Sequence, residues 1–384
     1  MTDNRYRRLP VGIQSFKVIR EENYLYVDKS DIVWNMVNLG DKYNYLSRPR
    51  RFGKSVLVDT LEAYLEGRKD LFEGLKIMQM EKDWKQYPVI RLDMSRGGAN
   101  EETLRSYLNL RFKDYEEKYN ITPDPTAMLA DRFHAIIATA YKQTGLRVAV
   151  LIDEYDSPLQ HSWRTPEHEK CTGVYREVFA ILKADDEYEH FVFITGITKF
   201  TQLSLFSVLN NLSNISFTPE YAAICGITEE EIEENFMPEI RQMSEANNWS
   251  IQETHDRLKA YYDGYHFSDD NMVDIYNPYS LVNALKQRKI KNFWASSGAT
   301  SLLPKFVDNA ELRMKSFENC RIMRNTLELS DVSGGGAELF LYQSGYLTIK
   351  DSDEFGYILG FPNEEVKQAL YEEGKGLLDW KRAE

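Results

Sequence analysis

Only three cysteines occur in 384 residues, and Cys171, Cys225 and Cys320 stand far apart with no C-x-x-C pair among them. Such spacing indicates neither a zinc site nor a disulfide framework, so buried free thiols are the expectation. Histidine is also sparse: of six, only His161 and His168 lie close together, too little for a metal site. Basic charge is in deficit, 47 Lys and Arg against 60 Asp and Glu, for a net charge of -13. That balance argues against indiscriminate affinity for nucleic acid over the whole surface. No run approaches the ~18 apolar residues of a membrane span. Met1 to Arg8 lacks the apolar core of a signal peptide, so a cytoplasmic location without a membrane partner is the default expectation. Internal repeats and low-complexity stretches are lacking as well, and the length leaves room for two or three domains.

What is present begins at Tyr45-Leu46-Ser47-Arg48-Pro49-Arg50-Arg51-Phe52-Gly53-Lys54-Ser55. The segment ends like a phosphate-binding loop. Tyr43 to Ser47 reads as a short strand, and apolar residues at Val56, Leu57, Leu61 and Leu65 give Ser55 to Leu65 a helical spacing. In a strand–loop–helix of this kind, backbone N–H groups cradle phosphates, the lysine reaches the β/γ-phosphates and the hydroxyl holds Mg²⁺. Gly53, Lys54 and Ser55 fill those roles. The first glycine of G-x-x-x-x-G-K-[ST] would fall at Arg48, so the consensus is met only in part. Four cations, Arg48, Arg50, Arg51 and Lys54, fall within seven residues on an acidic background. Arg50 and Arg51 could contact phosphate, serve a neighbouring subunit or pair with a structural carboxylate.

About a hundred residues on, the apolar run Val148-Ala149-Val150-Leu151-Ile152 leads into Asp153-Glu154. A strand apolar throughout is expected to be buried on both faces of a parallel sheet, with the acids at the end where open α/β sheets bind ligands. Asp153 is then the Mg²⁺ carboxylate and Glu154 the residue that polarises the attacking water. Two further strands, Pro88 to Met94 and Phe191 to Gly196, complete an order in which one strand intervenes between the loop and the acids. This is the order of additional-strand NTPases, in which the strand after the acidic one ends in a polar γ-phosphate sensor. Thr195 follows the apolar run most directly; Thr198 and Lys199 are the other candidates.

Together with Leu9 to Phe16, Tyr24 to Lys29, Leu151 to Asp156 and Tyr262-Asp263-Gly264-Tyr265, the loop resembles the bacterial AAA-ATPase-like family, from about residue 9 to about residue 368. In that family Arg-Pro-Arg-Arg-Phe-Gly-Lys-Ser is the usual phosphate loop. The resemblance implies an ATP-binding domain, often followed by a PD-(D/E)XK nuclease-like domain. The acids of such a nuclease are not found in the remaining strands here, and nuclease activity is not expected. By analogy with AAA-type ATPases, Gly12 to Phe16 and Tyr26 to Lys29 would line a base pocket, although a purely structural role for their aromatics is as reasonable.

The expected organisation is α/β: an AAA-like P-loop core over residues 1–226 with helices on both faces of a parallel sheet, a helical lid over 227–276, and a winged-helix-like region over 277–384. Ser30 is a candidate N-cap for the helix Ser30 to Leu39. Thr228 and the acids after it open the lid. Two amphipathic patterns, 229 to 246 and 250 to 262, follow. A hairpin joins Tyr346 to Lys350 with Tyr357 to Phe361. The expected ligands are ATP and Mg²⁺. The loop residues Arg48, Pro49, Arg50, Arg51, Phe52, Gly53, Lys54, Ser55 and Val56 surround the nucleotide, Ser55 and Asp153 hold the metal, and Glu154, Lys54 and Thr195 serve catalysis. The expected activity is a slow ATPase that switches conformation. The alternatives are a non-hydrolysing signalling scaffold and a DNA-associated module partnered with a nuclease; a protein partner or self-association is compatible with any of the three, and a nucleic-acid partner has no support from the charge.

Overall fold

The computed structural model describes residues 8–124, 126–200, 212–298, 302–307, 317–329 and 336–377. Parts of the expected winged-helix-like region, the N-terminal residues 1–7 and the C-terminal residues 378–384 therefore lie outside the described residues.

Five strands form a parallel sheet in the order β2-β3-β4-β1-β5: β1 (Tyr43–Ser47), β2 (Val89–Asp93), β3 (Val148–Asp153), β4 (Glu189–Gly196) and β5 (Ser213–Asn214). Every residue of β3 is buried, as its unbroken apolar run requires for a strand covered on both faces. The cover comes from α3 (Lys54–Leu65), which packs on β2 and β3 with α1 (Phe16–Glu21) and α2 (Ser30–Asn38) beside it, and from the mutually packed α5 (Glu101–Lys118), α6 (Leu129–Thr144) and α8 (Glu167–Ala184). Two short helices, α4 (Ile77–Met80) and α7 (Ser157–Ser162), complete this layer set. At the exposed edge, β2 would leave backbone groups unpaired. Two tyrosines of α5 meet them: the Tyr115 hydroxyl accepts from Arg91 N at 2.6 Å and donates to Arg91 O, and the Tyr107 hydroxyl accepts from Asp93 N at 2.8 Å.

Ser30 does not cap α2. It is the first helical residue, and its hydroxyl accepts instead from Ile77 N at 3.1 Å, while Asp28 accepts from Ser30 N. A buried serine that can bond another element gives up its local cap for the tertiary partner.

Beyond the sheet, the short strands β6 (Ile227–Thr228) and β7 (Ile275–Tyr276) pair antiparallel and close off the helices between them. Thr228 and Glu231 form a complete capping box at Glu229–Asn235. The single pattern expected over 229–246 is broken into Glu229–Asn235 and Met237–Asn247, because Pro238 cannot donate within a continuing helix and starts a new one. The helix Ile251–Tyr262 follows. The core of this helical unit continues past residue 276: Ile232, Phe236, Met243 and Leu258 pack with Leu281 and Leu285 of the helix Pro278–Gln287. Farther on, β8 (Cys320–Met323), β9 (Thr348–Asp353) and β10 (Gly356–Gly360) form an antiparallel sheet in the order β8-β10-β9. Its β9–β10 hairpin turns at Glu354 and Phe355, tighter than the sequence pattern suggested, and β8 is a strand that pattern did not reveal. Among the described residues, no helix is long and apolar enough to cross a membrane.

Candidate functional site

β1 delivers the chain to the site and α3 carries it away. Between them Gly53 sits at φ 89° as the N-cap of α3, a left-handed conformation that disfavours any residue with a Cβ. No side chain caps α3, so its first N–H groups are left for another acceptor. Arg50, Arg51, Phe52, Gly53, Lys54, Ser55 and Val56 line a cavity of about 420 Å³, within the ordinary range for small-molecule sites. Its far wall comes from the N-terminal segment, through Gly12, Ile13, Gln14, Tyr26, Val27 and Lys29, and from the helical unit, through Phe236 and Tyr279. Ser15, Phe16 and Asp28 do not join that wall, and Ser15 borders a smaller cavity instead. Phe16 is fully buried against Tyr26 and Phe72, at ring-centroid distances of 5.0 Å and 4.9 Å. Asp28 is spent on the amides of Ser30 and Lys76.

Lys54 is buried, and its Nζ donates to Arg48 O and Pro49 O, both at 2.9 Å. Burial pushes its pKa down, while Glu154, Asp153 and Asp156 act to keep it charged. Asp153 ends β3, nine-tenths buried or more, and its pKa is pushed up by burial, against the Ser55 hydroxyl bonded to it and the charge of Lys54. Glu154 sits at φ 46°, an unusual conformation for glutamate, and burial raises its pKa too. A positive φ and a pKa raised by burial, beside a cavity, make Glu154 a candidate functional carboxylate.

Glu154 borders both the main cavity and a smaller one of about 200 Å³, into which Ser55 and Asp153 also face. The smaller cavity adds Asp59, Arg91 and Asp93, three residues that sequence reasoning missed. Asp93 is in register with Asp153 on the adjacent strand, and its Oδ1 accepts from Ser95 Oγ at 2.6 Å. Its place at the carboxyl end of a parallel strand was the available signal. Asp59, on the second turn of α3, accepts from Phe16 N and from Arg91, each at 2.6 Å, and so fixes the N-terminal segment against the loop helix.

Several expected contacts are not found where the sequence put them. Arg48 is turned away from the cavity and buried: its guanidinium donates to Ser47 O, Ser216 O and Tyr221 O and lies 4.1 Å over the Phe267 ring. Pro49 does not line the cavity either. Thr195 lies inside β4 and its hydroxyl donates to Leu46 O at 2.7 Å, so it ties two strands together instead of facing a phosphate. The Thr198 hydroxyl donates to Asp156, and Lys199 Nζ donates to Glu328 O, both at 2.7 Å. None of the three borders either cavity. Alternation along a strand chooses the face of each side chain, and a one-residue difference reverses it.

Asp156 explains part of this arrangement. Its Oδ2 accepts from Gln160 Nε2, Ile197 N, Thr198 N and Thr198 Oγ1, at 2.5, 3.0, 2.6 and 2.7 Å. The carboxylate thus clamps the turn after β4 to the turn after β3. Asp156→Ala is expected to lower unfolding free energy by about 2–4 kcal/mol, since it removes the one oxygen that accepts all these bonds and leaves buried N–H groups unpaired. Urea denaturation checks this; a loss under about 1 kcal/mol would contradict the clamp.

The model of the family described as Predicted AAA-ATPase matches residues 10–206. A protein of Azotobacter chroococcum mcd 1, known as "Uncharacterized protein in vnfD 5'region", is 32% identical over 375 residues, 95% of this chain and 69% of the relative. Among solved structures, the ORC2 protein of Aeropyrum pernix in its ADPNP-ADP complexes is similar at TM-score 0.37 and 12% identity, over 100% of this chain and 98% of that one. Cdc6p from Pyrobaculum aerophilum is similar at TM-score 0.27 and 11% identity, over 97% of each chain. Scores this low assign no ligand or partner. With its family model matched across the loop, β2 and the acidic end of β3, the chain belongs to the predicted AAA-ATPase family.

Proposed function

We propose that the chain binds ATP with Mg²⁺ and hydrolyses it slowly, turnover serving as a conformational switch. One observation carries the reading: Lys54 and Ser55 at the start of α3 share a cavity with Glu154, beside Asp153 at the end of β3. In this reading the triphosphate takes the N–H groups of the first turn of α3, and Lys54 leaves the carbonyls of Arg48 and Pro49 for phosphate oxygens. The base lies toward Tyr26, Val27 and Tyr279. The Ser55 hydroxyl and the Asp153 carboxylate are oxygen donors of the kind Mg²⁺ takes, and Mg²⁺ usually needs only one or two protein groups beside phosphate and water. Among the described residues no ready-made group of three His, Cys, Asp or Glu side chains competes for that role. The metal would neutralise phosphate charge. Glu154 would accept the proton of the attacking water.

The second reading is a nucleotide-binding switch without significant turnover. It is favoured by the engagement of Thr195, Thr198 and Lys199 elsewhere, so that none of these three candidate sensors borders either cavity. Steady-state phosphate release from the wild type separates the two. Mg²⁺-dependent turnover above the uncatalysed rate supports hydrolysis, and tight ATP binding with no release supports the scaffold. The same assay with DNA present tests the third possibility, since stimulation that fades with added salt would mark a DNA-associated module.

Arg50 and Arg51 line the cavity within the chain's own loop, and Glu154 and Asp156 help keep the guanidinium of Arg50 charged against its burial. A cation near the γ-phosphate is therefore available without a neighbouring subunit. The expected result in light scattering is a monomer or small oligomer with ADP and with a non-hydrolysable ATP analogue alike. A stable ring of six that forms only with the analogue and turns on hydrolysis would show that the cation comes from a neighbour.

A further inference from the structure

The side chains of the loop reach outward into the C-terminal half. Three of these contacts are buried. Arg48 lies over Phe267, and the Phe52 ring packs edge-on against Tyr265 and Phe267 at 4.7 and 5.3 Å. The Pro49 ring presses on Gly345, where a Cβ would come within 2.6 Å of the Pro49 Cβ. Further contacts are made by the two arginines: Arg50 Nη1 donates to Gly298 O at 2.9 Å and Arg51 Nη2 to Ser297 O at 3.0 Å, both at the surface, and the Arg51 guanidinium also lies 5.1 Å over the Tyr279 ring. Their acceptors belong to one 3₁₀ turn, Ala295–Ser297 with Gly298 as its cap at φ 76°. That turn is firmly tied at its start. Phe293 N and Trp294 N donate to the buried Glu365 carboxylate at 2.6 and 3.0 Å, and Trp294 meets Tyr346 edge-on at 4.8 Å.

Resting on the reading of the cavity as an ATP site, we infer that Arg50 and Arg51 form a nucleotide-released latch: bound polyphosphate draws both guanidinium groups off the carbonyls of Gly298 and Ser297 and frees the 295–298 turn. The energetics favour the exchange. A phosphate offers the guanidinium an opposite charge and a bidentate fork of acceptors, which a single neutral carbonyl does not. The abandoned carbonyls lie at exposed positions, where water replaces the lost donor at little cost. Arg48, Pro49 and Phe52 are buried and cannot follow, so the loop stays docked while its two arginines swing. Because the same two side chains bond both partners, occupancy of the cavity and order in the turn are coupled, and the coupling is reciprocal.

Hydrogen exchange in the turn tests this on the full chain. The amides of Ser297 and Gly298 donate to Trp294 O and Ala295 O, at 3.1 Å each, and report the order of the turn directly. With saturating Mg²⁺-ATP, set by a fluorescent-nucleotide titration for each protein, these amides of the wild type should exchange about tenfold faster, inside the usual range of site–site coupling. In Arg50→Ala/Arg51→Ala they should exchange as fast without ATP, and ATP should add nothing. If the titration shows binding while exchange in the wild-type turn is unchanged or slower, the latch is wrong and the ATP site stands. Protection of the turn in the double variant equal to that in the wild type also overturns the latch. Failure of the wild type to bind ATP at all overturns both. Should the double variant not fold, as judged by circular dichroism, Arg51→Ala is read on the same amides: faster exchange without ATP supports the latch, and unchanged protection overturns it.

Discussion

Lys54→Met is expected to bind ATP at least about a hundredfold more weakly than the wild type. Charge-assisted hydrogen bonds contribute about 1.5–3 kcal/mol each, and a lysine at this place makes one or more to the β/γ-phosphates; about 2.7 kcal/mol corresponds to that factor. Methionine keeps the volume of a side chain that is buried here. The change also removes a donor from the carbonyls of Arg48 and Pro49, so some stability should be lost, on the order of 1–3 kcal/mol. Titration with a fluorescent nucleotide measures affinity, and urea denaturation separates it from folding. A folded Lys54→Met protein with wild-type affinity would sink the assignment of this segment as a phosphate loop.

Glu154→Gln should keep ATP binding and lose most turnover, by about 10²–10⁴-fold, the usual contribution of a general base. The amide preserves the shape of a residue held at φ 46°, so the backbone has no reason to rearrange. Asp153→Asn should act differently, weakening the Mg²⁺-dependent part of binding, because Asp153 faces the Ser55 hydroxyl. Phosphate release and nucleotide titration, run on both variants, distinguish these roles. If Glu154→Gln turns over as fast as wild type, the base is another residue. Asp156 is a poor substitute, with its Oδ2 bonded to Gln160, Ile197 and Thr198, whereas Asp93 borders the same smaller cavity as Glu154 and Asp153.

The amino-acid sequence by itself determined four of the five strands of the parallel sheet and the candidate residues at the two ends of the proposed site. Tyr43–Ser47 and Val148–Asp153 are strands because β-branched, aromatic and aliphatic residues run together there, and an unbroken apolar run is stable only with both faces covered. Gly53-Lys54-Ser55 and Asp153-Glu154 stood out as candidates because each proposed function needs a particular residue type at a strand's end or a helix's start, and both signals are local; the fold brings Lys54, Ser55, Asp153 and Glu154 to adjoining cavities. The capping box at Thr228 was local in the same way. What only the tertiary structure decided is which way the ambiguous polar side chains turn. Arg48 reads as a phosphate ligand from its neighbours in sequence, yet Phe267, Ser216 and Tyr221 surround it, all more than 160 residues away along the chain. Thr195 reads as a sensor until β1 supplies the Leu46 carbonyl beside it. Buried donors and acceptors must be satisfied, and their partners come from whichever element packs alongside. The docking of the loop's arginines on residues 297 and 298 is settled the same way, by the packing of the C-terminal half on the core, and no pattern within the loop contains it.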